Sequence, residues 1–444
     1  MITGTGWCTP LGDDVETGWK ALLAGRSGVG PISRFHARTF PTNFAAETPD
    51  PDLGLFFADP SPFDKATVHT RFALAAASRA WKQAGLGDAS DPRAKMASLN
   101  RRRLGVYLGA GEGPPDVPAF IGSNLAAWND ETRSVDMRRW AAEAYERMDA
   151  IGEVEQEPNM PLRHIAETFN AGGPTYNCLT ACAASTQAIG EAAEVIRRRD
   201  ADVMIAGGAH TMIHPLGVTG FIRLTALSSR RDEPQNACRP FSIDREGFVM
   251  GEGAGMLVLE SLDHALARGA TPLAEVAGFG SSADAFRITD IQPEGKGAQA
   301  AMLEALSQAG IDPAARGEDG RPLVHYISAH GTGTKENDSI ESKAIGAVFK
   351  DAAKEVPVSS IKSMMGHLIA AAGAVEAITC VQAIRTGWVP PTRNLKRPDP
   401  ACDLDYVPNE ARDLNGKGGV RAALSNSFGF GGQNNALLIK AFEA

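Results

Sequence analysis

Residues 171–190 read AGGPTYNCLTACAASTQAIG, and this stretch decides how the chain folds. The glycines and the proline at 172–174 indicate a loop, and the segment from Thr175 to Thr180 predicts a short buried strand. Small residues from Ala181 onward predict a helix that packs closely against its neighbours. Cys182 is therefore expected at a strand-to-helix turn.

A cysteine at the start of a helix is well placed to act as a nucleophile. The unpaired N–H groups and the positive end of the helix dipole favour thiolate over thiol, which predicts a lowered pKa for Cys182. The same N–H groups suit an oxyanion that develops beside the sulfur. Taken alone, Cys182 also fits a buried apolar cysteine without a chemical role. The motifs further along the chain decide between these two interpretations.

The composition is that of an ordered, soluble enzyme. The 444 residues are 43% hydrophobic and 22% charged, and they include 47 glycines, which is typical of one large domain or two fused ones. A formal net charge of -9 argues against general binding to nucleic acid. The six cysteines have neither the spacing of a zinc site nor the density of a disulfide scaffold, so we expect a reducing, cytoplasmic location.

No segment predicts secretion or insertion into a membrane. The first residues, MITGTGW, lack a basic region followed by an apolar run. The most apolar late stretch, Leu368 to Ile384, contains Glu376 and is too short for a bilayer, so we expect a buried helix. Gly4 and Gly6 predict a glycine-rich turn after the first strand. A dinucleotide-binding loop is disfavoured there because no third glycine follows at the required spacing.

Strand and helix patterns alternate along the chain and predict mostly parallel sheets covered by helices. The order of elements repeats, which indicates an internal duplication with halves at 1–265 and 266–444. Residues 111–160 interrupt the first half as an excursion rich in acidic and helical patches. We expect this excursion either to cap a site or to build an interface.

Three short motifs follow the central cysteine, and each lies at a predicted strand end followed by a glycine turn. They are AHGTGT at 329–334 with Asn337 and Asp338, KSMMGH at 362–367 with Gly373 and Glu376, and NSFGFGG at 426–432. Active sites of open α/β sheets are assembled at such strand ends. The motifs are therefore expected to meet Cys182 in space.

With these motifs the chain resembles condensing enzymes of the thiolase fold, specifically the β-ketoacyl-[acyl carrier protein] synthase II family of elongating enzymes. The resemblance covers nearly the whole chain, and four motifs in order at family spacing make it specific. It implies an α/β fold in which two duplicated halves form a five-layered αβαβα architecture. The segments that carry it outside the three motifs are TGTG at 3–6, LLAG at 22–25, TAC at 180–182, RPF at 239–241 and GFV at 247–249.

The resemblance implies a two-stage reaction at Cys182. The cysteine would be acylated by a fatty acyl chain delivered on acyl carrier protein. Malonyl-[acyl carrier protein] would then bind, lose carbon dioxide and attack the thioester as an enolate. His330 and His367 would assist decarboxylation, because two neutral imidazoles can each donate an N–H bond to the enolate oxygen.

The resemblance also implies supporting roles. Lys362 would keep the site electropositive, and Asp338 and Glu376 would fix the geometry of Lys362 and the histidines. The backbone N–H groups of the nucleophile and Phe430 would form the oxyanion hole. Phe430 and Phe428 would form a gate between acyl-enzyme and malonyl binding. No metal or organic cofactor is expected.

The expected partners are the two carrier-protein substrates and a second copy of the chain, in a homodimer that extends the central sheet across a two-fold axis. An acidic protein needs a local basic patch to dock a carrier protein. Candidate residues for that patch are Lys65, Arg71, Arg223, Arg230 and Arg231.

Three alternatives stay open on the sequence. A thiolase is disfavoured, because Asn426-Ser427-Phe428 stands where a second catalytic cysteine would be expected. A non-catalytic partner resembling a chain-length factor would lack the nucleophile. A specialised polyketide-like or polyene-like ketosynthase challenges the fatty acid enzyme, because the residues AASTQ after Cys182, Ser242, Gln433 and the long 111–160 excursion depart from the family pattern.

Overall fold

The computed structural model describes residues 1–87 and 99–443. The helices and strands of the first half are, in chain order, β1 (Ile2–Cys8), α1 (Val15–Leu23), β2 (Gly30–Pro31), β3 (Phe44–Ala45), α2 (Val68–Gln83), β4 (Leu104–Ala110), α3 (Val117–Ala126), β5 (Trp128–Asn129), β6 (Ser134–Val135), α4 (Met137–Arg147), α5 (Ala150–Glu155), α6 (Met160–Thr168), β7 (Thr175–Cys178), α7 (Ala184–Arg197), β8 (Val203–His210), α8 (Pro215–Arg223), β9 (Gly253–Glu260) and α9 (Leu262–Ala267).

The second half begins with the strand that follows α9. Its helices and strands are β10 (Glu275–Ala283), α10 (Lys296–Gln308), β11 (Tyr326–Ser328), α11 (Lys335–Phe349), β12 (Val358–Ser359), α12 (Lys362–Met365), α13 (Ala372–Thr386), β13 (Trp388–Val389), β14 (Arg412–Asp413), β15 (Ala422–Gly429) and β16 (Gln433–Lys440).

Two five-stranded sheets share one topology within the described residues. The first sheet has the order β1-β9-β8-β4-β7, and the second has the order β10-β16-β15-β11-β12. In both, the first two pairings are antiparallel and the last two are parallel. The repeated order confirms the predicted duplication. The exact boundary between 265 and 266 stays a prediction.

The helices complete a stack of five layers. α2 and α6 cover the outer face of the first sheet, α10 covers the outer face of the second sheet, and α11 packs against α10. α7 and α13 lie between the sheets and contact both. Gly373 marks how closely they pack, because a Cβ there would lie 1.9 Å from Thr186 Oγ1. The middle layer is therefore built from small side chains, as the sequence predicts for Ala181 onward.

Gly4 and Gly6 lie inside β1, so the predicted glycine-rich turn is wrong. A Cβ on these residues would lie 2.0 and 2.1 Å from the backbone oxygens of Ala80 and Ala76 on α2. Gly278 and Gly280 on β10 face α10 in the same way, at 1.9 Å each. The glycine pairs thus let one helix in each half lie directly on its strand.

The strand before the nucleophile is also different from the expectation. β7 covers only Thr175–Cys178 and lies at the edge of its sheet, where Thr175 and Tyr176 are exposed. The prediction of a buried strand is therefore wrong, because a short stretch of sequence cannot by itself distinguish an edge strand from a central one.

The late apolar stretch is a buried helix, as expected. The segment Ile369–Thr386 is long and apolar enough to cross a membrane by length and composition, and 83% of it is buried inside the protein. Most of this segment is α13, which lies in the middle layer between the two sheets.

The 111–160 excursion folds into α3, α4 and α5 with the short hairpin of β5 and β6. It carries several exposed apolar side chains: Phe120, Ile121, Leu125, Trp128, Met137, Tyr145, Ile151 and Val154. None of these helices lines the cavity at Cys182. This arrangement favours the interface interpretation over the cap.

Candidate active site

The predicted motifs converge on one cavity of about 400 Å³. Cys182 reaches it from the turn after β7, and His330 and His367 reach it from the segments that follow β11 and β12. Phe428 and Phe430 line it from the end of β15. The cavity therefore lies where the two halves meet, at the carboxyl ends of their parallel strands.

Cys182 lies in a short 3-10 turn, Ala181–Ala183, directly before α7. Ala181 adopts a left-handed conformation with φ of 47°, and Cys182 is 6% exposed. Ile369 repeats this conformation, with φ of 50°, at the 3-10 turn that precedes α13. The turns before α7 and α13 are therefore equivalent in the two halves. The first contains Cys182, and the second begins two residues after His367.

The backbone at Gly429 approaches the nucleophile closely. A Cβ at Gly429 would lie 2.8 Å from Thr180 O and 3.3 Å from Cys182 N. The backbone N–H groups of Phe430 and Cys182 both act to lower the pKa of the Cys182 thiol, so both lie close to the sulfur. These are the two groups predicted for the oxyanion hole, and the structure brings them together.

The resting charge of Cys182 differs from the expectation. Burial raises the pKa of the thiol to about 11, and Lys362 together with the N–H of Phe430 only partly opposes this effect. The predicted lowering of the pKa is therefore wrong. The loss of hydration destabilises the thiolate more than Lys362 and the N–H groups at the helix start stabilise it.

His330 and His367 lie side by side, with ring centroids 5.4 Å apart and planes at 85°. Burial, then the positive charge of Lys362, lowers the pKa of both rings well below 6.5, so both are neutral at physiological pH. The N–H of Ile369 donates to His367 Nδ1 at 3.3 Å, which leaves the ring proton on Nε2. His367 Nε2 and His330 Nδ1 have no hydrogen-bond partner within residues 1–87 and 99–443.

Lys362 and Glu376 form a buried ion pair. Both residues are 1% exposed. Burial raises the pKa of Glu376 to about 7, against the opposing effect of Lys362. The pair places a positive charge close enough to act on Cys182 and on both rings. These contacts agree with the roles that the resemblance implies for Lys362 and Glu376.

Asp338 is buried against the loop that follows His330. Its carboxylate accepts hydrogen bonds from the N–H groups of Phe241 at 2.7 Å and Gly333 at 3.1 Å, and lies 3.8 Å from Arg245 Nε. It therefore holds the loop after His330. Its expected role in fixing the geometry of Lys362 and the histidines stays a prediction, and the hold on this loop is the contact through which it would act on His330.

Glu341 is a buried carboxylate that the sequence analysis missed. Its two oxygens accept from the N–H groups of His330 and Gly331, each at 2.8 Å, and Asn426 Nδ2 lies 3.3 Å from Oε1. Burial raises the pKa of Glu341 to about 7. Its position on α11, three residues after Asp338 and one turn along the same helix, is the only sequence signal that would have pointed to it.

Aromatic rings enclose the rest of the cavity. Phe428 lies 5.7 Å from His330, and Phe248 lies 5.2 Å from His367, measured between ring centroids. Phe430 stacks on Phe221 at 6.5 Å. Phe248 belongs to a motif noted in the sequence, whereas Phe221 on α8 carries no such signal.

The comparisons with known proteins agree with this geometry. The family description "Beta-ketoacyl synthase, N-terminal domain" matches residues 1–265, and "Beta-ketoacyl synthase, C-terminal domain" matches residues 273–396. The chain belongs to the beta-ketoacyl synthase family. The expected thiolase-like α/β fold and the family resemblance are both confirmed.

Relatives of this ketosynthase match it from end to end. It is 40% identical to 3-oxoacyl-[acyl-carrier-protein] synthase 2 of Coxiella burnetii, over 99% of this chain and 97% of the relative. It is 39% identical to the enzyme of the same name from Staphylococcus aureus, over 100% of this chain and 98% of the relative. The name of both relatives, 3-oxoacyl-[acyl-carrier-protein] synthase 2, is that of the family that the sequence motifs indicate.

Solved structures show the same fold. The ishigamide ketosynthase/chain length factor matches with a TM-score of 0.84 and 34% identity, over 100% of this chain and 98% of that chain. A beta-ketoacyl synthase from Burkholderia phymatum matches with a TM-score of 0.83 and 31% identity, over 100% and 99%.

The raised pKa of Cys182 predicts how the enzyme reacts with an alkylating agent when no substrate is added. Only the thiolate is nucleophilic, so the rate of Cys182 modification by iodoacetamide should rise about tenfold per pH unit between about pH 7 and 9. Mass spectrometry of the modified peptide measures this rate. The variant Lys362→Met should react more slowly at every pH, because it loses a charge that favours thiolate.

A rate that is already level near neutral pH would show instead that the thiolate is the resting form. The variant Cys182→Ser supplies the background from the other cysteines.

Proposed function

We propose that this protein is a 3-oxoacyl-[acyl carrier protein] synthase that elongates acyl chains by two carbons through decarboxylative Claisen condensation. The observation that carries the proposal is the convergence of Cys182 with two neutral imidazoles and a buried lysine in one cavity. The names of the relatives support it, because the curated relatives from Coxiella burnetii and Staphylococcus aureus, matched over 97% and 98% of their length, are 3-oxoacyl-[acyl-carrier-protein] synthases.

The first stage moves the acyl chain onto the enzyme. The Cys182 sulfur bonds to the thioester carbonyl, and the bond from that carbonyl to the carrier sulfur breaks. The proton of the Cys182 thiol ends on the departing carrier thiol, so charge is conserved. The N–H groups of Cys182 and Phe430 support the negative oxygen that forms during the exchange.

The second stage forms the new carbon–carbon bond. The malonyl carboxylate leaves as carbon dioxide, and the electrons of the broken bond form an enolate. His367 Nε2–H donates to the enolate oxygen together with His330, since neutral imidazoles supply N–H donors in a dry site. The enolate carbon attacks the Cys182 thioester, and the cysteine leaves as a thiolate near Lys362.

The hairpin of β15 and β16, which carries Phe428 and Phe430 at its turn and is called the aromatic hairpin below, supplies the gate between the two stages. Phe430 lies between β15 and β16, next to Gly431 and Gly432, which have φ of 83° and 74°. Glycines in this left-handed conformation permit a swing of the loop that bulkier residues would resist. Phe430 is half-buried and Phe428 is buried, so Phe430 is the part of the gate that moves.

The nucleophile is tested by acylation. Cys182→Ala should abolish formation of the acyl-enzyme from acyl-[acyl carrier protein], because no other sulfur lines the cavity among the described residues. Intact-protein mass spectrometry measures the adduct. The variant Cys402→Ala, altered at another buried free cysteine, should acylate as the wild type does. An adduct of normal amount in Cys182→Ala would refute the assignment.

The enolate donors are tested by carbon dioxide release. Loss of one oxyanion donor typically lowers a rate by about 100- to 1000-fold, so His367→Ala should slow decarboxylation of malonyl-[acyl carrier protein] by about that factor. Acylation of Cys182 should change much less. Unchanged carbon dioxide release in His367→Ala would remove the residue from the mechanism.

Docking of the carrier protein is proposed at the rim of the catalytic cavity. Arg223 ends α8 directly before the rim residues Leu224 and Thr225, is exposed, and has no ion pair within the described chain. The other four candidates already bind neighbours. Lys65 pairs with Asp149, Arg71 with Asp50, Arg230 with Asp244 and Glu246, and Arg231 donates to Arg38 O.

Charge reversal separates docking from chemistry. Arg223→Glu should raise KM for carrier-bound substrate about 3- to 10-fold and leave acylation by a pantetheine thioester unchanged, because the small thioester needs no docking surface. Arg421→Glu is a matched control at the opposite end of β15. Equal KM values for Arg223→Glu and the wild type would place the docking surface elsewhere.

A homodimer is proposed through the free edge of the first sheet. β7 carries exposed Tyr176, Leu179 directly after it is also exposed, and its outer backbone pairs with no other strand within residues 1–87 and 99–443. This combination favours pairing with another strand. The corresponding edge strand of the second half, β12, is instead covered, since Val358 N–H donates to Asp405 O at 2.7 Å. The exposed apolar helices α3 to α5 add surface that suits an interface.

Sedimentation tests this interface. The wild type should sediment as a dimer, and Tyr176→Lys combined with Leu179→Lys should shift the equilibrium towards monomer, because like charges would face each other across the two-fold axis. Leu266→Lys, at an exposed leucine on α9, is the control and should stay dimeric. A monomeric wild type would exclude the interface.

A specialised ketosynthase is the second candidate. The structural neighbours include the ishigamide ketosynthase/chain length factor and a type II polyketide ketosynthase bound to a hexaketide. A non-catalytic partner is disfavoured, because the nucleophile and both histidines lie in one cavity.

The free state of all six cysteines supports a reducing, cytoplasmic location.

A further inference from the structure

A second cavity of about 340 Å³ lies behind the catalytic one. Thr180, Ala181 and Ala184, which surround the nucleophile in sequence, form one side of it. Phe221 and Phe430 line both cavities, so this stacked pair is the wall between them. When Phe430 moves, an acyl chain attached to Cys182 has this space to enter.

The lining of the second cavity is mostly apolar, with one buried exception. Leu179, Met212 and Ile369 supply apolar surface. His210 also lines the cavity and is 5% exposed, and neither of its ring nitrogens has a hydrogen-bond partner among the described residues. An unpaired polar group that is buried destabilises a protein, so this ring needs a partner that the folded chain does not supply.

The strand order of the first sheet brings Glu112 close to His210 at the second cavity. His210 is the last residue of β8, and Glu112 lies two residues beyond β4. The two strands are parallel neighbours, with Ala110 opposite Ala209. Both side chains therefore emerge at the same edge of the sheet as Cys182, and both line the second cavity.

His210 is fixed in place as a neutral hydrogen-bonding group. Burial lowers the pKa of His210 to about 4, so at neutral pH the ring carries one N–H donor and one acceptor nitrogen. A Cβ at Gly111 would lie 2.2 Å from His210 Nε2, so only glycine leaves room for the ring in this position. His367 shows the same state, with a free ring nitrogen whose partner is expected to arrive with the substrate.

We propose that the cavity behind Phe430 binds acyl chains that carry an oxygen substituent, such as a hydroxyl, and that His210 forms a hydrogen bond with this oxygen. This inference rests on the proposed function, because the chain reaches the cavity only as a thioester of Cys182. It assigns His210 a role in substrate specificity and none in the bond-forming steps. A fully saturated, unsubstituted chain would leave the ring without a partner.

Acylation by small thioesters tests the inference on the full-length protein. The probes are pantetheine thioesters of octanoate and of hydroxyoctanoates in which the hydroxyl is moved stepwise along the chain. The Cys182 sulfur bonds to the carbonyl, the pantetheine thiol leaves with the proton, and intact mass gives the rate for each probe. These probes do not depend on carrier docking.

The wild type should be acylated about 3- to 10-fold faster by at least one hydroxyoctanoyl probe than by the octanoyl probe, which is the contribution of one hydrogen bond. His210→Leu should abolish this preference. His210→Gln, which keeps a donor and an acceptor, should retain part of it. Met212→Leu changes an apolar residue of the same cavity and should retain all of it.

Two outcomes would overturn the inference while the proposed function stands. One is efficient acylation of the wild type by octanoyl without preference for any hydroxylated probe, which would mean that His210 meets only water. The other is a preference that survives in His210→Leu. A wild type that no probe acylates would instead overturn the proposed function, and this inference with it.

Discussion

The site depends on the close approach of two helix starts in the middle layer. Gly373 admits the Thr186 hydroxyl, and Ser185 Oγ accepts from the N–H of Ala374 at 2.9 Å, so α7 and α13 are joined at their first turns. Cys182 lies just before α7, and His367 lies shortly before the turn that opens α13. Residues 185 positions apart are brought to one cavity because two small-residue helices lie side by side between the sheets.

Exclusion of water then sets the chemistry. The same desolvation that keeps both imidazoles neutral, and therefore able to donate N–H bonds, also keeps Cys182 in its thiol form. Lys362 acts on all three groups but is itself held by Glu376. The site is thus prepared for negative charge that develops during the reaction and holds little of it beforehand.

The sequence predicts much of this arrangement, because glycine turns at strand ends are local signals. Cys182, His330, His367 and the aromatic hairpin could all be assigned from motifs of a few residues. Glu341 could not, since a glutamate on a helix shows its buried side only when the loop at His330 folds over it. The exposure of β7 depends on its place in the sheet order, which no local pattern records. The charge of Cys182 depends on how completely several distant segments exclude water.

The two halves share strand order and helix placement, yet they are one chain. In a symmetric pair of identical subunits every side chain would occur twice, so a sulfur at one helix start would require a second at the other. Here the left-handed residues Ala181 and Ile369 are equivalent, and the positions after them are Cys182 and Ala370. Because the two halves belong to one chain, the equivalent positions can hold different residues. The first half has a thiol at Cys182, and the second half has an unreactive methyl group at Ala370.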